Sequence, residues 1–302
     1  MFGSSVSPSE KRQALRRRLD EGGLTVLPGA FNALSAQLIA RRGAPGVYIS
    51  GHGIAADLGL PDLGMTTITE VAERGRQIAR MVDVPAIIDA DTGFGEPLNM
   101  GRSIVTLEDA GLSGCHIEDQ VNPKQCGHSE GVDVVGTELA LRRVEAAVRA
   151  RRDPGFVVIA RTDARAVHSL DHAIGRAKEF VAAGADVIFP EALRSLEEYA
   201  AFRRAIDVPL MINCNEFGRG VPPTQTQVRD LGYQLAVYPV TLLRLAMRAA
   251  LDGIDEILEH GSQHALLERM QTKDELYELL GYEAYQAFDD RVFSAATRGP
   301  VH

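Results

Sequence analysis

The sequence predicts an α/β fold, a (β/α)8 barrel of the TIM type, and three features carry that prediction. Eight short apolar runs rich in Val and Ile recur with starts about 20 to 40 residues apart, and a helix-like segment fills each gap. The runs are apolar throughout rather than alternating, as expected when a parallel sheet is covered on both faces. Nearly every run turns from apolar to charged or amide residues at its C-terminal end, where barrels of this type carry their sites.

In chain order the strands are Leu24–Pro28, Gly46–Ser50, Val84–Asp91, Gly114–Asp119, Phe156–Asp163, Asp186–Glu191, Pro209–Cys214 and Leu235–Pro239. Helical patterns between them include Ile68–Val82, Thr137–Arg151, Ser169–Ala183 and Leu196–Ile206. Ser169 and Ser195 supply N-caps, while Gly111 and Gly184 sit where helix C-caps belong. An open doubly wound sheet is the less favoured alternative, because Gly51-His52-Gly53 lacks the rest of a dinucleotide fingerprint. With no low-complexity linker, residues 1–302 are expected to form one barrel domain with a C-terminal helical extension over 241–295. The extension contains Thr241–His260, Ser262–Met270, Lys273–Leu280 and Tyr282–Phe293, more helix than an eighth barrel unit requires. Such a surplus covers one end of a barrel or packs on a neighbouring subunit.

Composition narrows the partners. The 302-residue chain has a formal charge of −9, so it has no basic surplus with which to neutralise nucleic-acid phosphates. Arg16-Arg17-Arg18 and Arg151-Arg152 read as solvated helix faces. No apolar run approaches the roughly 18 residues that a membrane span needs, and residues 1–11 lack an apolar signal core. Three cysteines, Cys115, Cys126 and Cys214, make no disulfide framework and suit a reducing cytoplasm. The expectation is a cytoplasmic protein with no nucleic-acid or membrane partner.

The chemistry-bearing residues collect at the strand ends. Asp62, Asp89, Asp91 and Glu118 are too many carboxylates to share a cleft without a cation, because close like charges force some to protonate. An oxygen-rich set suits Mg²⁺, with Asp89 and Asp91 nearest the ion and Asp62 and Glu118 holding its waters. Zinc is disfavoured, since Cys126 and His128 have no second ligand pair at zinc spacing. Cys126 stands between Lys124 and His128, a setting that lowers a thiol pKa and equips it as a nucleophile or an acid. Backbone N–H groups in a Ser50-Gly51-His52-Gly53 turn offer a cradle for a carboxylate or phosphate. Arg161, rising from a buried strand, reads as a carboxylate clamp. Cys115, His116 and Cys214 read as core packing.

Seven motifs then occur in order: Ser50-Gly-His-Gly53, Leu58-Gly-Leu-Pro-Asp-Leu-Gly64, Asp89-Ala-Asp-Thr-Gly-Phe-Gly95, His116-Ile-Glu-Asp-Gln-Val121, Lys124-Gln-Cys-Gly-His128, Ala160-Arg-Thr-Asp163 and Phe189-Pro-Glu-Ala192. Together they resemble the isocitrate lyase/phosphoenolpyruvate mutase superfamily over essentially the whole chain. The segment Met270–Tyr277 is most similar to that superfamily's bacterial 2-methylisocitrate lyase branch. The resemblance implies a barrel whose last helix is swapped between subunits, a homotetramer built as a dimer of dimers, and Mg²⁺ dependence with Mn²⁺ as a substitute.

The implied reaction splits a small di- or tricarboxylate, 2-methylisocitrate, into pyruvate and succinate by retro-Claisen (retro-aldol-type) chemistry in propionate catabolism. Other members cleave related 2-hydroxy diacids such as 2,3-dimethylmalate, act like oxaloacetate decarboxylases, or are phosphonate-forming mutases. Carried over by residue, Ser50, Gly51 and His52 hold the pyruvate-side carboxylate, Asp89 and Asp91 the metal, and Cys126 is the proton donor. Lys124 and His128 poise that thiol. Gly127, Arg161, Glu191, Asn213, Cys214, Asn215 and Arg244 contact the rest of the substrate, and Lys273 falls where the family places a substrate-binding arginine. The base is Tyr48 or a water held by Asp62.

Overall fold

The computed structural model describes residues 2–125, 127, 131–218 and 222–296. Eight parallel strands run β1 (Thr25–Pro28), β2 (Val47–Ile49), β3 (Ala86–Asp89), β4 (Gly114–Glu118), β5 (Val157–Thr162), β6 (Val187–Pro190), β7 (Met211–Asn213) and β8 (Leu235–Tyr238). Each lies inside an expected strand. Five strands pair in the order β2-β3-β4-β5-β6, and β1-β8-β7 form a second parallel set. Single bridges close the ring, Gly29 to Tyr48 between β1 and β2, and Ile188 to Leu210 between β6 and β7. The fold is the expected TIM-type barrel.

Alternation along each strand divides the core in two. Leu27, Tyr48, Ile87, Val157, Ile159, Val187, Phe189, Met211, Leu235 and Val237 fill the barrel interior. Their neighbours in sequence, such as Ile88, Cys115, Ile117, Val158, Ala160, Ile188 and Ala236, pack outward against the helices. The helix Pro8–Glu21, absent from the sequence reading, joins the inner cluster through Leu15 and Leu19. Its Arg12 donates from Nε to the Leu112 carbonyl (2.9 Å), and Lys11 Nζ donates to the Ala79 carbonyl (2.8 Å). Leu112 precedes β4, so this helix stoppers the lower mouth of the barrel.

Side-chain caps start the helices that the sequence marked. Ser169 Oγ accepts from the His172 N–H and Ser195 Oγ from the Glu198 N–H. After β8, the helix Thr241–His260 has no buried residue, and Leu245, Met247, Leu251, Ile254, Ile257 and Leu258 are exposed along it. The expected helix at Ser262–Met270 is instead a short 3₁₀ segment, His264–Arg269. The helix Lys273–Leu280 lies on the helix Ala33–Arg41, where Arg41 pairs with Glu278 (2.9 Å) and Leu279 is buried. Among the described residues, no helix is long and apolar enough to cross a membrane.

Candidate active site

The upper strand ends deliver their inward-facing residues to one cleft of about 230 Å³. It is lined by Tyr48, Ser50, His52, Asp62, Asp89, Lys124, Gln125, Gly127, Arg161, Phe189, Glu191, Asn213, Asn215 and Arg244, with Phe217, Pro239 and Val240 at its edge. Most of the residues expected at the site therefore meet there. Cys126 and His128 lie outside the described residues.

Strand β4 places His116 and Glu118 two residues apart on the inner face, with His116 opposite Asp89 in register. One ligand atom from each of Asp89, His116 and Glu118 falls within 4.8 Å of the others, making a buried group able to hold a metal ion. The Tyr48 hydroxyl lies 2.7 Å from His116 Nε2, and the Phe189 ring meets the imidazole edge-on at 5.4 Å. His116 was expected to be packing. Burial draws its pKa down to about 4, so the imidazole is neutral. Burial also raises Tyr48 well above the usual phenol range, with Asp89 adding to the shift.

Two cations sit among the carboxylates. Lys124, nearly buried, reaches Asp62 and stands 2.8 Å from Asp91 Oδ1. Burial alone would lower Lys124, but Asp91, Glu118, Asp89 and Asp62 together hold it well above its ordinary value. Arg161 donates from Nε and Nη2 to Asp163 (2.9 and 2.8 Å) and has Glu118 at 3.2 Å and Glu191 at 3.9 Å. Among the described residues, Asp62, Asp89, Asp91, Glu118, Asp163 and Glu191 gather around Lys124 and Arg161. The imbalance shows in the acids. Burial raises Asp91 to about 6 against the pull of Lys124, and burial raises Glu118 well above the carboxylate range. Asp89 is the exception. Burial opposes its ionisation, yet His116, Lys124 and Arg161 hold it down at about 2. An excess of buried carboxylates, with neither Glu118 oxygen accepting a hydrogen bond from the described residues, fits a divalent cation.

The structure refines several expectations. Asp91, expected beside Asp89 at the metal, lies outside the Asp89–His116–Glu118 group, and its Oδ1 stands 2.8 Å from Lys124 Nζ. It still adjoins Asp89: a Cβ on Gly51 would lie 2.9 Å from Asp89 Oδ2 and 3.2 Å from Asp91 Oδ1. Asp91 also has a left-handed backbone (φ 46°), anchored by its N–H donating to Asp89 Oδ1 (3.0 Å). The Ser50–Gly53 stretch is no open turn. Ser50 stands at the N-cap position of the helix Gly51–Asp57 without a side-chain capping bond, and the Gly51 N–H donates inward to Asp89 Oδ2 (3.1 Å). His52 is half-exposed, its Nδ1 3.7 Å from Asp62 Oδ2.

Arg161, read as a carboxylate clamp, is engaged by the protein carboxylates Asp163, Glu118 and Glu191. Asn213 and Asn215 line the cleft, whereas Cys214 between them points into the outer core, where burial pushes its thiol up to about 11. Arg244 stacks over the Phe217 ring at 4.9 Å. Lys273 is not in the cleft; it is exposed, with its ammonium 5.2 Å from the Tyr277 ring. Gly127 packs so closely that a Cβ there would lie 2.5 Å from Arg161 Nη2 and 2.6 Å from Asp163 Oδ1. Only glycine fits that approach. The sequence reading missed His116 and Asp163, although spacing two from Glu118 and from Arg161 put both on the inner face.

A model for phosphoenolpyruvate phosphomutase matches residues 15–258. A probable 2-methylisocitrate lyase of Corynebacterium glutamicum is 51% identical over 97% of this chain and 96% of its own. A 2-methylisocitrate lyase of Aeropyrum pernix is 43% identical over 92% of this chain and 90% of its own. The solved structure of a 2,3-dimethylmalate lyase, described as a PEP mutase/isocitrate lyase superfamily member, superposes with a TM-score of 0.89 at 30% identity. It covers 98% of this chain and 99% of that one.

Proposed function

The chain belongs to the phosphoenolpyruvate phosphomutase family, and on that premise we propose that it is a Mg²⁺-dependent carbon–carbon lyase cleaving 2-methylisocitrate to pyruvate and succinate. The observation that carries the reading is the meeting of a buried Asp-His-Glu group, a buried phenol and two carboxylate-bound cations in one cleft, in a chain 51% identical to a probable 2-methylisocitrate lyase.

Asp89 is the shared member of the site, with Glu118 and His116 on one side and Asp91 on the other. These residues would hold Mg²⁺, or Mn²⁺ in its place, with Asp62 nearby. When bound, the ion supplies Lewis-acid stabilisation of negative charge developing on the 2-oxo acid. Lys124 and Arg244 add positive charge for a substrate with three carboxylates, and Asn213 and Asn215 offer polar contacts. Tyr48, which burial keeps protonated and which lies 2.7 Å from His116 Nε2, would orient the C2 hydroxyl, and a water held by Asp62 would take that hydroxyl's proton. The C2–C3 bond breaks, its electrons remain on the succinate carbon, and Cys126 protonates that carbanion. Gly127, next to Cys126 in the sequence, is seated against Arg161 and Asp163, which supports giving the proton-donor role to Cys126.

The exposed apolar face of Thr241–His260 supports a homotetramer with exchanged helices; light scattering reads the subunit number, and a monomer overturns it. Free, buried Cys115 and Cys214 support a reducing, cytoplasmic setting.

The test is pyruvate release from 2-methylisocitrate, isocitrate, 2,3-dimethylmalate and oxaloacetate with Mg²⁺. We expect the highest kcat/KM for the first. The similarity to a 2,3-dimethylmalate lyase structure favours that diacid as the second reading, and a preference for it replaces the first. Activity with none removes the lyase assignment.

Metal binding should follow the acids. Asp91 has its folded pKa raised from 3.8 to about 6, so its neutral form stabilises the metal-free fold at low pH and that contribution is lost as pH rises through 6. Protons and Mg²⁺ then compete for the same carboxylates. Added Mg²⁺ should raise the melting temperature at pH 8, with the increase shrinking as pH falls through about 6. A shift that is constant from pH 8 to pH 5 contradicts this.

A further inference from the structure

We propose that Gln120 is a positioning residue: its side-chain amide clamps the backbone of Gln125 and thereby sets Lys124 and Gly127 against the cleft. Gln120 directly follows the acidic end of β4 and is 1% exposed. Its Oε1 accepts from the Gln125 N–H (2.9 Å), and its Nε2 donates to the Gln125 carbonyl (3.0 Å). One side chain therefore satisfies both backbone groups of one residue five positions on.

The clamp has a fixed base. Gln120 bridges Val134 in an antiparallel pairing, and the Val121 N–H donates to the Asp133 carbonyl (3.0 Å). Buried Arg143, from the helix Thr137–Ala150, donates from Nη1 to the Gln120 carbonyl (2.9 Å) and from Nη2 to Glu96 (3.0 Å). Gln120 is thus held from behind while its amide holds Gln125 in front.

What it holds are the neighbours that matter. Lys124, one residue before the clamped position, carries the ammonium between Asp62 and Asp91. Gly127, two residues after it, has no room for a methyl group beside Arg161, Asp163 and Glu191. A displacement of Gln125 by an ångström would shift both. Losses of that size in positioning lower rate rather than fold.

The residue type follows from the geometry. A primary amide donates and accepts in one plane, as a backbone N–H and C=O pair requires. Glutamate keeps the acceptor but loses the donor. Methionine keeps the length and loses both, and asparagine is one methylene short.

The inference rests on the lyase reading only for its kinetic arm. The full-length protein with Mg²⁺, as wild type, Q120M and Q120E, is compared by melting, by amide exchange resolved at Gln125, and by kcat and KM for 2-methylisocitrate. For Q120M we expect a wild-type melting curve, exchange at Gln125 faster by about tenfold or more, and kcat lower by about tenfold. KM should move less than kcat, and Q120E should move both readouts in the same direction. Wild-type exchange at Gln125 in a folded variant overturns the clamp. So does unchanged kcat with accelerated exchange, because nothing catalytic would then depend on it. If both variants melt early and together, Gln120 is a packing residue and the proposal is wrong. If the wild type cleaves no 2-hydroxy acid, the lyase reading fails while exchange at Gln125 still decides the clamp.

Discussion

Cys126→Ser is expected to lower kcat for 2-methylisocitrate by on the order of 100- to 10,000-fold, the range a lost general acid costs. A hydroxyl is a far weaker acid than a thiol, so the carbanion left after bond cleavage would have no matched proton donor. The Mg²⁺-dependent rise in melting temperature should persist, because Asp89, His116 and Glu118 are untouched. A rate near wild type would remove Cys126 from the mechanism. A mutase-type reaction, which delivers no proton to carbon, would by contrast tolerate Cys126→Ala.

Arg161→Met should act on the fold rather than on binding alone. The guanidinium is bidentate to Asp163 and faces Glu118 and Glu191, all buried. Removing it takes away the cation bonded to Asp163 and beside Glu118, a loss of about 3–5 kcal/mol when one partner of a buried ion pair is deleted. Urea denaturation measures it. Arg161→Lys should recover part of the loss, since a point charge remains without the planar fork. Wild-type stability in Arg161→Met would show that the residue is a substrate clamp after all.

Strand positions were legible because a parallel strand covered on both faces is apolar along its whole length, and nearly every run stops in polar residues. Helix starts were legible where Ser169 and Ser195 cap them locally. The first helix escaped notice although Ser7, Pro8 and Glu10 make a capping box with proline at the first turn. Its Leu15 and Leu19 are spaced four apart, but charged neighbours mask the stripe. The Ser50–Gly53 stretch looks like a turn because its glycines disfavour helix; contact with Asp89 overrides that preference. His116 was hidden by reading β4 as uniformly apolar. Lys273 and Gln120 belong to a different class, since their surroundings are set by chain reversals that no local pattern encodes.

The alternation along β4 has a consequence for how such a protein can change over generations. Point substitutions can be tried one at a time, sampling His116 or Glu118 apart from Cys115 or Ile117. Insertion or deletion of a single residue in the strand has no such latitude. It would exchange the two faces, sending Cys115 and Ile117 into the barrel and the imidazole and carboxylate among the helices. Chemistry and core would be lost in the same event. Length variation among descendants is therefore confined to connections beyond the strand, and catalytic novelty must arrive by replacement rather than by slippage.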